Sequence, residues 1–156
     1  MASKNVTTAL DAQGVEFELL PHRHTESALA EAEALGVDPA DVAKTLVVAT
    51  PEGYVRVVVP ASERLDMRKL RELLGEGKKE VQLASEEDLA RDYGEFELGA
   101  VPPVGGSRRD PVVIDRRLAG RESLVLEAGS HEESIRIGRA DLVRVTDALV
   151  ADISED

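Results

Sequence analysis

The sequence predicts a mixed α/β (α+β) domain, single over residues 1–156, with a central, mostly antiparallel, barrel-like sheet of about seven strands flanked by short helices. Three observations predict it. Apolar, β-branched runs with period-two alternation recur along the chain, as in Val42–Ala49 and Tyr54–Val59. Short segments with helical spacing fall between them at irregular intervals, so the regular strand–helix–strand rhythm of a parallel sheet is missing. No composition shift or low-complexity linker divides the chain.

Taken in order, Ser3–Gln13 carries Val6 and Leu10 at helical spacing and stops at Gly14, which predicts an amphipathic helix. Val15–Leu20 alternates as a half-buried strand, ended by Pro21-His22-Arg23-His24. Thr25 is the expected cap of a helix over Glu26–Leu35, stopped by Gly36. Asp38-Pro39 opens a single turn before Val42–Ala49, which pairs through Pro51-Glu52-Gly53 with Tyr54–Val59 as a hairpin. Asp66–Leu74 is helical, with Met67, Leu70, Leu73 and Leu74 on one side.

Val81–Leu83 is a short strand, and Ser85 with Asp88 forms a capping box for a helix that ends before Gly94. Gly99–Gly106 is too rich in glycine and proline for regular structure and predicts a shaped loop. Pro111–Asp115 and Leu124–Glu127 read as buried strands, and Ala128–His131 as the turn to a strand at Ser134–Ile137. A helical turn over Arg139–Val143 and an edge strand at Val150–Ile153 complete the chain.

Composition narrows the chemistry. With no cysteine there is no disulfide, thiolate metal site or cysteine nucleophile. The sequence offers no signal-peptide core and no apolar stretch long enough to cross a bilayer, which predicts a cytoplasmic protein with no membrane partner. A net charge of −12 repels phosphate backbones and argues against broad binding to DNA or other duplexes, though not against a narrow contact with a nucleic-acid end. Against that background Ser107–Arg121 has a net charge of +3, a local basic stripe that suits a small anionic partner.

Lys44 is the central candidate, an ammonium on a strand face otherwise made of Val42, Leu46 and Val48. Such a lysine either snorkels from the strand edge or lines a pocket where its charge is used. His22 and His24 lack an obvious third ligand, so no metal site and no cofactor is expected. His131, in a glycine-serine turn, could act as acid, base or donor. Glu86-Glu87 and Glu132-Glu133 are adjacent, diverge in regular structure and carry no expected role. A pocket of Lys44, the Gly99–Gly106 loop and the Gly129–His131 turn would offer a cation, backbone N–H donors and one imidazole to an ester or acyl carbonyl. It contains no usual protein nucleophile, so water or the substrate must attack.

The ordered set Lys44-Thr45-Leu46, Gly-x-x-x-Pro-x-Gly at Gly99–Gly105, Val113-Ile114-Asp115 and Ile135–Leu142 resembles the YbaK family of aminoacyl-tRNA editing domains, related to the insertion domain of bacterial prolyl-tRNA synthetase. The resemblance runs from about Val15 to Ile153. It implies a freestanding deacylase that hydrolyses, in trans, the ester of mischarged tRNA, here tRNA-Pro bearing Ala or Cys. Lys44 would be the catalytic, substrate-positioning residue, and a ribose hydroxyl or substrate thiol would supply the reactive group. It further implies substrate contacts from Thr45, Leu46, Gly99, Val101, Pro103, Gly105, Ala128, Gly129, Ser130 and His131. Acceptor-end phosphates would meet Arg108, Arg109, Arg116 and Arg117, and an aminoacyl-tRNA synthetase is a second expected partner.

The cysteine-clearing branch typically has a serine, two glycines and basic residues where this chain has Ala128-Gly129-Ser130-His131-Glu132, and a histidine there is similar to alanine-clearing branches. The alternative within the same fold is a non-catalytic module that binds aminoacyl-tRNA or a synthetase.

Overall fold

The computed structural model describes residues 2–77 and 79–156, with side chains described from Asn5 onward. Its elements are α1 (Ala2–Ala12), β1 (Phe17–Pro21), α2 (Ala28–Leu35), β2 (Val42–Thr50), β3 (Gly53–Pro60), α3 (Met67–Leu74), β4 (Gln82–Leu83), α4 (Glu86–Asp92), β5 (Val112–Asp115), α5 (Arg116–Ala119), β6 (Ser123–Ser130), β7 (Glu133–Gly138), α6 (Arg139–Thr146) and β8 (Leu149–Ala151). A single 3-10 turn, Pro39–Asp41, leads into β2, with the Asp38 carboxylate accepting from the Ala40 N–H.

The sheet has eight strands in the order β1-β7-β6-β2-β3-β5-β8, with β4 added to β2. It is neither closed nor mostly antiparallel. The hairpins β2–β3 and β6–β7 and the pairs β1–β7 and β2–β4 are antiparallel, whereas β2–β6, β3–β5 and β5–β8 are parallel. β5 and β8 are each followed or preceded by helices that return the chain over the sheet, so their pairings form by crossover rather than by tight turn. β1 and β8 end the order as unclosed edges, which replaces the expected barrel.

Local differences have local causes. Ser27, not Thr25, caps α2, because its Oγ accepts from the Ala30 N–H while Thr25 is buried beneath the site. The expected turn at Ala128–His131 is still strand: β6 runs to Ser130 through a bulge after Glu127, and Gly129 takes φ +91° there. Short α5 was absent from the sequence reading, since four residues give no helical period.

Side-chain alternation divides the core between the two sheet faces. Ala43, Val47, Val58, Ile114, Leu124 and Leu126 face α1 and α6 through Val6, Leu10 and Leu142. The opposite face is covered in two separate patches. Val42 and Val125 pack with Ala32 of α2, while Val48, Val57 and Val59 pack with Leu70 of α3.

Arg56 fixes the long loop after α4. Buried in β3, it donates to the carbonyls of Pro102 (3.0 Å), Gly105 (3.1 Å) and Arg108 (3.2 Å) and to Asp110 (3.2 Å). Gly105 takes φ +94° and lies so close to α1 that a Cβ would stand 2.6 Å from the Asn5 carbonyl oxygen, so glycine is required. Arg56→Met strands three carbonyls and the buried Asp110, and is expected to cost about 3 kcal/mol in urea unfolding. A midpoint equal to wild type would show that the loop is held by other contacts.

Candidate active site

β2 shares one edge between two partners. Val42 and Ala43 pair with Val125 and Leu126 of β6, and Val48 and Ala49 pair with Leu83 and Gln82 of β4. Between those pairings the edge at Lys44–Leu46 faces neither strand. A cavity of about 250 Å³ opens there, lined by Lys44, Thr45 and Leu46 with Ser27–Leu29 of α2 and its cap, Ala61, Gly99, Val101 and Glu127. Its walls come from the open edge of β2, the start of α2, the end of β6 and the Gly99–Val101 loop.

Lys44 is half-buried, and among the described residues no carboxylate lies within 4.0 Å of its ammonium. Burial, and then the neighbouring Arg64 cation, hold its pKa below the ordinary lysine value. A cation that gains no partner from the fold is available to a negative or carbonyl oxygen.

The opposite wall is acidic. Glu127 is 12% exposed, and burial, followed by the charges of Glu31, Glu97 and Glu26, pushes its pKa up to about 9. Its Oε2 stands 3.2 Å from His131 Nδ1 without hydrogen-bond alignment, and both atoms lack a bonded partner. Behind them Glu31 is fully buried, accepts from the Ser134 hydroxyl and has its pKa raised by burial to about 7. Ser134 Oγ also meets His22 Nε2 at 2.9 Å.

His131 is a fastener rather than a free base. Its Nε2 donates to the Leu98 carbonyl (2.6 Å), its N–H to Glu97 (3.1 Å), and its carbonyl accepts from Thr25 (3.0 Å). Gly129 accepts from the Glu97 N–H (2.8 Å), and Gly99, at φ +84°, brings its backbone against the imidazole. His24 stacks edge-on at 5.4 Å. The imidazole therefore ties together the Gly99 loop, the bulged end of β6 and the segment before α2.

Of the residues singled out in the sequence, Lys44, Thr45, Leu46, Gly99 and Val101 are brought together in the cavity. Pro103 and Gly105 instead line a separate cleft with Arg108 and Arg109, near Arg56 and away from Val59, the β3 partner of Lys44. Ala128 packs into the core on the other face, and Gly129, Ser130 and His131 form the buried support behind the cavity. The arginines fall in two places. Arg108 lies over Tyr54 and Tyr93, whereas Arg116 and Arg117 of α5 pair with Asp152, and Arg117 also with Glu63. Glu127, Arg64 and the Ser27–Leu29 wall were not singled out in the sequence. Glu127 had a readable signal, one acid inside the apolar run Leu124-Val125-Leu126, matching Lys44 in its own strand.

The model of the aminoacyl-tRNA editing domain matches residues 22–145, which include every lining residue of the cavity. The chain belongs to the aminoacyl-tRNA editing family. Similar proteins include EbsC of Enterococcus faecalis, provisionally named a Cys-tRNA(Pro)/Cys-tRNA(Cys) deacylase, 26% identical over 99% of this chain and 98% of its own. The proline–tRNA ligase of Thermosipho melanesiensis is 32% identical over 74% of this chain, which corresponds to 20% of that enzyme. A crystal structure provisionally described as a trans-editing enzyme for prolyl-tRNA synthetase superimposes with a TM-score of 0.87 at 28% identity, covering 99% of this chain and 98% of the other. That of a hypothetical protein gives 0.87 at 31% identity, over 97% and 99%. No helix among the described residues is long and apolar enough to cross a membrane.

The buried acids of this editing domain make stability pH-dependent. Glu31 and Glu127 have folded-state pKa values of about 7 and about 9, above the 4.5 of a free glutamate, so the native chain keeps protons that the unfolded chain has released. Their contribution is complete below about pH 4.5 and is lost as pH rises through about 7 and then about 9. The urea midpoint of wild type should therefore fall across that window. Glu31→Gln combined with Glu127→Gln should flatten the fall, and parallel pH profiles would exclude these two groups as its source.

Proposed function

We propose that this chain is a freestanding deacylase that hydrolyses, in trans, the ester of a mischarged tRNA, with Lys44 as the residue that positions the substrate. The observation that carries this reading is a half-buried lysine with no counter-ion among the described residues, in a cavity of amino-acid size. Its ammonium suits the ester carbonyl or the terminal ribose, and holding an already labile ester in place contributes several kcal/mol to its cleavage. The names of EbsC and of the proline–tRNA ligase favour tRNA-Pro, and that of EbsC favours cysteine as the removed residue; alanine is the alternative that His131 suggests. One domain over residues 1–156 would do this in the cytoplasm, where tRNA is charged, with a synthetase as a further partner.

The hydroxyls in the cavity do not make a nucleophile. Ser27 Oγ is engaged as the cap of α2, and among the described residues no imidazole faces Thr45. Water therefore attacks the carbonyl carbon, assisted by a hydroxyl of the terminal ribose or a substrate thiol. The bond to the tRNA oxygen breaks, that oxygen takes up the proton lost by the attacking water and becomes the ribose hydroxyl, and the amino acid leaves as a carboxylic acid that gives up its proton to solvent. Arg109, exposed and without an acidic partner among the described residues, is the most available of the four arginines for an acceptor-end phosphate; Arg108, Arg116 and Arg117 would exchange existing contacts for one.

Release of amino acid from alanyl-, cysteinyl- and seryl-tRNA should be seen with one member of the panel. Lys44→Ala should lower that rate by about 100-fold or more, with an unchanged far-ultraviolet circular dichroism spectrum. Full turnover by the variant would reject Lys44. Stoichiometric binding without release by wild type would indicate a binding module instead.

A further inference from the structure

Lys44 and Glu127 are neighbours by strand register. Val42 pairs with Val125 and Ala43 with Leu126, so one further step of that ladder would set Lys44 beside Glu127, on the side of the sheet occupied by Val42 and Val125. Strand neighbours are roughly 4.8 Å apart at the backbone, a distance at which lysine and glutamate ordinarily meet. Here they do not: no ion pair within 4.0 Å joins them, and both line the cavity that opens as β2 leaves β6. A lysine and a glutamate thus flank one small space without pairing across it.

Glu127 looks both ways. Its Oε2 is buried against His131 Nδ1, while no hydrogen bond among the described residues engages its other oxygen, and the exposed fraction of the side chain belongs to the cavity wall. Glu127 is the only carboxylate among the lining residues; the rest of that wall, Ala28, Leu29, Ala43, Ala61, Gly99 and Val101, is small or apolar.

We propose that Glu127 is the receptor for the free α-ammonium of the aminoacyl group, so that the cavity accepts aminoacyl esters and rejects those whose amine is acylated. The inference rests on the deacylase reading for the identity of its ligand. An aminoacyl ester carries its amine on the carbon next to the carbonyl, which matches a carboxylate and an ammonium on adjacent strands. A protonated amine meets the ionised carboxylate directly. A neutral amine takes the proton of the Glu127 carboxyl, and both routes end in the same ammonium–carboxylate pair. The positive charge supplied is the one the site lacks, since burial, and then the charges of Glu31, Glu97 and Glu26, keep the proton of Glu127 bound. An N-acyl amide brings no charge and would leave the carboxyl facing a bulky neutral group.

The test titrates the whole chain calorimetrically with 3′-alanylamino-3′-deoxyadenosine, an amide-linked analogue that resists hydrolysis, and with its N-acetyl derivative. Wild type should bind the free amine at least about tenfold more tightly, as expected for a charged hydrogen bond. Glu127→Gln should weaken the free amine to the level of the acetylated form and leave the latter unchanged. Equal binding of the two analogues by wild type, or binding of neither, overturns the proposal without any variant; so does a preference that survives in Glu127→Gln. Amine-selective binding without hydrolysis of any aminoacyl-tRNA overturns the deacylase reading and supports this one, whereas hydrolysis combined with equal binding does the reverse.

Discussion

The site depends on the parting of β2 and β6. Their parallel pairing covers only Val42–Val125 and Ala43–Leu126, after which β2 runs on with β3 and is rejoined on its open edge by β4 at Val48. A continuous ladder would have stacked Lys44 against Glu127 and closed the space between them. A bulge against β7 follows Glu127, and the helical cover of that face lies in two patches, under α2 and under α3. One geometric event therefore creates the cavity, exposes the lysine and keeps the acid from neutralising it.

Such a gap has to be held open. Arg56 organises the loop that follows α4 through three carbonyls and Asp110, at the end of β3 away from the cavity. His131 holds the start of that loop through Leu98, with Glu97 bonded to both Gly129 and His131. The residue types follow from the burial. A guanidinium can satisfy several carbonyls at once, and an imidazole whose one nitrogen is committed to a carbonyl presents the other to a carboxyl. These interactions place the Gly99 backbone at the cavity wall without using the groups that face it.

The electrostatics are those of a site prepared for charge. Among the described residues, four buried polar atoms, on Thr25, Glu31, Glu127 and His131, lack bonded partners around one wall, and burial raises the pKa of both acids among them. Across the space, a lysine is depressed by burial and by Arg64. Each wall carries a cost that a ligand of the opposite sign relieves, so folding stability is spent on binding capacity.

Helices α1 to α4 and α6, the hairpin and the unusual position of Lys44 within an apolar strand were legible in the sequence, because period, capping residues and a charge inside an apolar strand are local signals. So was the family, through the ordered set from Lys44-Thr45-Leu46 to Ile135–Leu142. The barrel was not: whether a sheet closes, and which of its strands run parallel, depends on crossovers between β3, β5 and β8, distant in sequence. Nor was the division of labour at the site. Sequence spacing drew attention to His131, whereas the register between β2 and β6 brings Glu127 to the cavity and turns the imidazole into its support. By itself the sequence determined most of the strands and helices and that one lysine is out of place, since these follow from each residue's own chemistry and its near neighbours. Only the tertiary structure decided which charges face each other across the cavity, because that depends on pairing between strands some eighty residues apart.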